Sequence, residues 1–212
     1  MKLPLRSGGR MKALVLNCTL KPSPKTSNTE ALARVVMAEW ARDGVESEIV
    51  RLVDLDIRPG VESDMGDGDE WPKVREKIAA CDILLMATPT WMGQMSSVCQ
   101  RALERMDAFF SETDEAGRSI AMGKVAGVVV TGNEDGAHHI VATVCQPLID
   151  LGFTIPGQSW TYWHLGPGPG PDYTDTDEAH AYSDRLARNA ARNLAFAARA
   201  LEGLRFPPQE TG

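Results

Sequence analysis

Three runs of this 212-residue chain are apolar at nearly every position: Ala13-Leu14-Val15-Leu16 within Lys12 to Cys18, Ile83 to Ala87, and Val125 to Thr131. A strand with one wet face alternates apolar and polar residues; an unbroken apolar run requires that both faces be covered. Covered faces mean helices on both sides of a parallel sheet, and the intervening segments supply them. Ser27 and Glu30 have capping-box spacing ahead of an apolar stripe of Leu32, Val35, Val36 and Trp40, and Asp43-Gly44 ends that helix. Trp71-Pro72 opens a second helix that closes near Cys81, and Thr88-Pro89 closes the strand that follows. Val98, Ala102, Leu103, Met106 and Phe110 recur at helical spacing, as do Val141, Val144, Leu148 and Leu151. Glu46 to Arg51 reads as a shorter second strand, Phe153 to Trp163 holds a fifth, and Thr176 to Leu204 is the closing helix. The acidic stretch from Asp54 to Asp69 and the Gly166 to Pro171 run read as loops.

Strands alternating with helices of crossover length demand right-handed connections, so the expected fold is α/β: a doubly wound five-stranded parallel sheet with helices on both faces. The expected organisation is a single domain over residues 12–205, with 1–11 a disordered extension ahead of Met11 and 206–212 a tail. In such sheets ligands lie beyond the carboxyl ends of the strands, which directs attention to the loops after the first, third and fourth apolar strands.

Charge narrows the function. Lys and Arg number 22 against 29 Asp and Glu, a net charge of -7 with no basic cluster, so nucleic acid is not an expected partner. No segment reads as a signal peptide or a membrane span. Cys18, Cys81, Cys99 and Cys145 are scattered without a CxxC pair, which argues against a zinc site or a disulfide framework and fits a reducing cytoplasm.

The first loop, Cys18 to Thr29, places hydroxyls and an amide just ahead of a helix N-terminus. Helix dipole and unpaired N–H groups attract a phosphate dianion there, with Thr19, Ser27, Asn28 and Thr29 as hydrogen-bond donors. A plain N-cap at Ser27 accounts for the same residues equally well. Neither G-x-G-x-x-G nor GxxxxGK[ST] is present, and Cys18 reads as a small buried residue rather than a nucleophile. In the second loop, Trp91 and Met92 offer flat or polarizable surface, while Thr90 and the amides around Gly93 offer hydrogen bonds.

These loops resemble those of NADPH-dependent FMN reductases and their iron-sulfur flavoprotein relatives. Ser27-Asn28-Thr29 keeps the family's pattern, although Cys18-Thr19 stands where Gly-Ser is usual and the loop lacks an arginine. Thr88-Pro89-Thr90-Trp91-Met92-Gly93-Gln94-Met95-Ser96 is similar to the family's Ser-Pro-x-Tyr-x-Gly-x-x-Ser, and Thr131-Gly132-Asn133 to its Thr-Gly-Gly. The resemblance implies a flavodoxin-like fold binding FMN through Thr19, Ser27, Asn28, Thr29, Pro89, Thr90, Trp91, Met92, Gly93, Thr131, Gly132 and Asn133. It implies NADPH or NADH as electron donor, a quinone, free flavin or other small acceptor, and a homodimer or homotetramer. The flavin carries the chemistry and no catalytic triad is expected. His138 is a candidate for tuning the ring; adjacent His138 and His139 lack a third metal ligand, so no metal is expected. The cluster cysteines of the iron-sulfur relatives are replaced by Asp56 to Ser63, leaving the flavin as the only redox group. A non-enzymatic electron carrier or flavin-binding regulatory module, and a degenerate domain without flavin, are the alternatives.

Overall fold

The computed structural model describes residues 10–204, 206 and 207. The expected extension over residues 1–11 and the tail over 206–212 therefore lie largely outside the described residues. The strands are β1 (Lys12–Asn17), β2 (Glu46–Arg51), β3 (Ile83–Trp91), β4 (Gln94–Met95), β5 (Val125–Thr131) and β6 (Trp160–Trp163). The helices are α1 (Asn28–Arg42), α2 (Trp71–Ala80), α3 (Ser97–Met106), α4 (Ala137–Asp150) and α5 (His180–Leu201).

Five strands lie parallel in the order β2-β1-β3-β5-β6, and the two-residue β4 pairs antiparallel with the end of β3. The unbroken apolar runs have the expected cause. Ala13 and Val15 of β1, Ile83 and Leu85 of β3, and Val125 and Val129 of β5 enter one core with α1 and α5. Their neighbours Leu14, Leu16, Leu84, Met86, Ala126 and Val128 enter the other, with α2, α3 and α4. Each central strand thus removes nearly all its apolar surface from water, on both faces.

Three boundaries differ from the sequence reading. β3 runs on through Thr88-Pro89 to Trp91. Its register with β1 ends at Asn17↔Ala87, while that with β5 continues to Pro89↔Thr131, so the missing proline N–H costs no ladder bond on the β1 side. Phe110 belongs to a 3-10 turn after α3 and is 57% exposed rather than inward. The closing helix spans His180–Leu201 and not Thr176 to Leu204: Thr176 is extended with φ of -152°, and Ala179 just ahead of the helix is left-handed with φ of 59°.

The acidic loop is pinned from within. Arg105 of α3 is fully buried and donates to Asp69 Oδ1 at 3.0 Å and Oδ2 at 2.7 Å, and to the carbonyls of Arg58 and Glu62. All five guanidinium N–H groups are thereby used. No helix among the described residues is long and apolar enough to cross a membrane.

Candidate functional site

Asn17, the last residue of β1 and fully buried, organises the loop that follows. Its Oδ1 accepts from Thr19 N at 3.2 Å, and its Nδ2 donates to Glu30 Oε2 at 3.2 Å and to Ser27 Oγ at 3.5 Å. Ser27 is the N-cap of α1, its Oγ accepting from Glu30 N at 3.1 Å. The Glu30 carboxylate does not return to the Ser27 backbone as a capping box would. It accepts from Arg51 at 2.6 Å and from Arg34 at 2.6 Å. Burial opposes its charge, but the bonds from Arg51 and Arg34 outweigh this and hold its pKa below the usual value. Arg51, at the end of β2, also donates to the carbonyls of Lys21 and Lys25. Ser23 donates through N and Oγ to Asp54, lowering that carboxyl's pKa.

The loop is thus braced from behind by one guanidinium. Thr19 and Ser27 have hydroxyls in nearly buried positions, each 4% exposed, at a helix N-terminus whose first-turn amides lack intrahelical acceptors. Thr29 is committed elsewhere, its Oγ1 lying 2.8 Å from Thr131 Oγ1 of β5. Cys18 is fully buried, and burial pushes its thiol pKa well up, so it does not serve as a nucleophile.

Beyond Thr90 and Trp91, Met92 and Gly93 turn the chain with φ of 52° and 72°, and Trp91 pairs with Gln94. Two positive φ angles in a two-residue loop match the twist of a tight hairpin. The hairpin carries Trp91 and Met92 outward, 52% and 91% exposed. It is clamped to the loop after β5 and to α4: Met92 N donates to Glu134 Oε1 at 2.6 Å, and His139 Nε2 of α4 lies 3.0 Å from Gln94 Oε1. At Gly136, φ is 117° and a Cβ would stand 2.8 Å from Gly93 Cα. Ser96 locks the first two loops together, donating to Cys18 O at 2.6 Å while capping α3 at Cys99 N.

A strap from His164 to Ala179 runs from the end of β6 past the β5 loop and the start of α1 to α5. Gly170 N donates to Asn133 O at 2.9 Å, and Thr174 donates to Asn28 Oδ1 through N at 3.2 Å and Oγ1 at 2.7 Å. Lys21 Nζ lies 3.7 Å from Asp172 Oδ2. Trp163, buried against Tyr173 and His180, anchors this strap.

The structure thus gathers Thr19, Ser27, Asn28 and Thr29 between the end of β1 and the start of α1. Pro89 to Gly93 and Thr131 to Asn133 stand at the ends of the next two strands, β3 and β5. It qualifies three assignments: the Gly132 N–H is taken by Trp163 O at 3.1 Å, Asn28 Oδ1 is taken by the strap, and the exposed His138 ring lies edge-on to Tyr162 at 5.0 Å. Asn17, Arg51, Glu134 and Thr174 were not singled out from the sequence, and Ser96 entered only as the last residue of the second loop's motif. A polar residue ending an apolar strand signals Asn17; the others act across distances in sequence that leave no local trace.

Parallel strands in this order, with a braced helix N-terminus after β1 and an exposed aromatic hairpin after β3, define a flavodoxin-like protein. The sequence profile of the family described as NADPH-dependent FMN reductase matches residues 11–166, and the chain belongs to this family of FMN-dependent oxidoreductases. The 8-demethyl-8-aminoriboflavin-5'-phosphate synthase of Streptomyces davaonensis is 36% identical over 203 residues, covering 91% of this chain and 79% of that protein. The crystal structure of RosB with a bound intermediate, 8-demethyl-8-formylriboflavin-5'-phosphate, superimposes with a TM-score of 0.83 at 34% identity, covering 90% of this chain and 80% of that one. An archaeal flavodoxin at 13% identity shares the fold alone, with a TM-score of 0.54 over 87% of this chain and 99% of its own.

Proposed function

We propose that this protein holds FMN across the carboxyl ends of β1, β3 and β5 and works as an NAD(P)H-dependent oxidoreductase on a small acceptor. The observation that carries the reading is one juxtaposition: a helix N-terminus lined by nearly buried hydroxyls at the end of β1, and a clamped Trp91-Met92 tip at the end of the adjacent β3. These residues fit the group. Thr19 and Ser27, the Asn28 side-chain nitrogen and the first-turn amides of α1 hold the phosphate. Thr29 contributes its backbone amide, its hydroxyl being bound to Thr131. Pro89, Thr90, Trp91, Met92 and Gly93 hold the ring, with Thr131, Gly132 and Asn133 along its pyrimidine edge. Bound FMN would supply the redox chemistry between nicotinamide and acceptor. The chain's residues orient it and screen it from water on the strap side. Assembly as a homodimer or homotetramer is part of the same proposal.

A second reading is favoured by the similarity to a synthase whose name specifies an aminoriboflavin phosphate product: the flavin phosphate is itself the substrate. One experiment separates the two. On anaerobic stopped-flow mixing of the FMN-loaded protein with NADPH or NADH, we expect rapid bleaching of the flavin. A quinone should then restore the colour, with the flavin recovered at unchanged mass. Slow bleaching would indicate an electron carrier, and a flavin of altered mass would favour the second reading.

A further inference from the structure

The strap from His164 to Ala179 runs past residue 166, where the match to the family profile ends, yet it makes direct contact with the start of α1. Thr174 is the point of contact. Its N and Oγ1 both donate to the single oxygen Asn28 Oδ1, at 3.2 and 2.7 Å. Two donors on one oxygen settle which end of the Asn28 amide faces the strap, since only the oxygen accepts.

We infer that Thr174 is a positioning residue, holding the Asn28 amide so that its nitrogen and not its oxygen is the group offered to an anion at the start of α1. The inference rests on the phosphate reading given above and extends it. An amide nitrogen donates to a phosphate dianion, whereas an amide oxygen in the same place repels it. Without the latch the side chain samples both orientations, and part of its binding free energy is lost in ordering it.

The strap holds Thr174 firmly enough to set this orientation. Tyr173 is buried at 6% exposure, with its ring stacked on His180 at 4.0 Å and edge-on to Trp163 at 5.5 Å. His180 Nε2 donates to the Tyr173 carbonyl at 2.9 Å, and the Tyr173 hydroxyl lies 3.4 Å from Asp184 Oδ1. Asp172, on the other side of Tyr173, reaches Lys21 Nζ of the β1 loop at 3.7 Å and Asn133 Nδ2 of the β5 loop at 3.5 Å. Thr174 itself is exposed, so a substitution there leaves the core intact.

The test is a titration of FMN and of riboflavin, which lacks the phosphate, against the native protein and the Thr174→Val and Thr174→Ser variants. Thr174→Val keeps the shape of the side chain and removes the hydroxyl donor. The backbone N–H of residue 174 still donates to Asn28 Oδ1, so the variant should weaken FMN binding by about threefold to tenfold, the range for losing one neutral hydrogen bond. Riboflavin binding should be unchanged, inorganic phosphate should compete less well, and Thr174→Ser should restore native behaviour. An unchanged FMN affinity in Thr174→Val, or an equal loss for FMN and riboflavin, would overturn the inference while leaving the flavin reading in place. Native protein that ignores FMN altogether would remove both.

Discussion

The Gly136→Ala protein should bind FMN about tenfold or more weakly than the native protein while remaining cooperatively folded. Gly136 precedes α4 with φ of 117°, a conformation that residues with a side chain rarely adopt, and its Cβ position lies 2.8 Å from Gly93 Cα and 2.9 Å from Gly93 O. Backbone faces backbone here, so no flexible side chain gives way. A methyl group must therefore push the β3–β4 hairpin from the β5 loop. That movement strains the Met92 N–H bond to Glu134, 2.6 Å long, and shifts Trp91 and Met92 from the place where the proposed function has them meet a planar ligand. Gly44→Ala is the control: it also puts a methyl group at positive φ, 75°, but with nothing within 4 Å and at the opposite end of α1 from Ser27. It should lose stability and keep its affinity for FMN. Fluorescence titration of both variants, with thermal melts in parallel, checks the pair of outcomes.

The largest expected loss of stability follows Arg105→Ala. Arg105 and the Asp69 side chain are both fully buried, and Asp69 also accepts from the amides of Met65, Trp71 and Arg58. Removing the guanidinium leaves a buried carboxylate without its counter-charge, at a cost of about 3–5 kcal/mol. In a chain of this size that lowers Tm by on the order of 10 °C. Burial alone would raise the Asp69 pKa; the bonds from Arg105 and the three amides outweigh it and hold the carboxyl far below the usual range. A carboxyl depressed in the folded state stabilises the fold fully above its unfolded pKa of about 3.9 and loses that contribution as the pH falls further. Native Tm should therefore show no dependence on Asp69 near neutrality and fall below about pH 4. In Arg105→Ala the Asp69 contribution should disappear at higher pH, because its carboxyl no longer has a cation to hold it ionised. Melts across the acid range, native against variant, measure this directly.

What could be read from the sequence was what depends on neighbours along the chain. The bounds of β2 and the start of α2 at Trp71 follow from local pattern, and Ser27 is the N-cap that its spacing to Glu30 suggested. The capping box was half right, because Glu30 found stronger partners in Arg51 and Arg34 than the Ser27 backbone. β4 was missed: it is two residues long, and its turn places Met92, not a glycine or asparagine, at a positive φ. Arg105 sits in an amphipathic helix where an arginine reads as solvent-facing, and only its pairing with Asp69 across 36 positions makes its burial tolerable. The walls of the site were legible as three loops, but within the strap Gly166 to Pro171 read as an irregular run and Thr176 to Ala179 as the start of the closing helix. The strap's role depends on Thr174 meeting Asn28 across 146 positions, a contact that no local pattern records.

The proposed flavin 5′-phosphate site joins the turn into α1 to the hairpin after β3. Its most direct test is the quenching of FMN emission on titration with native protein, repeated with a Thr19→Val/Ser27→Gly variant in which the helix cap costs only a few tenths of a kcal/mol. Saturable quenching by the native protein, and a clear loss of affinity in the variant confined to the phosphorylated flavin, are the predicted results. Folded native protein that leaves FMN emission and absorption untouched would contradict it.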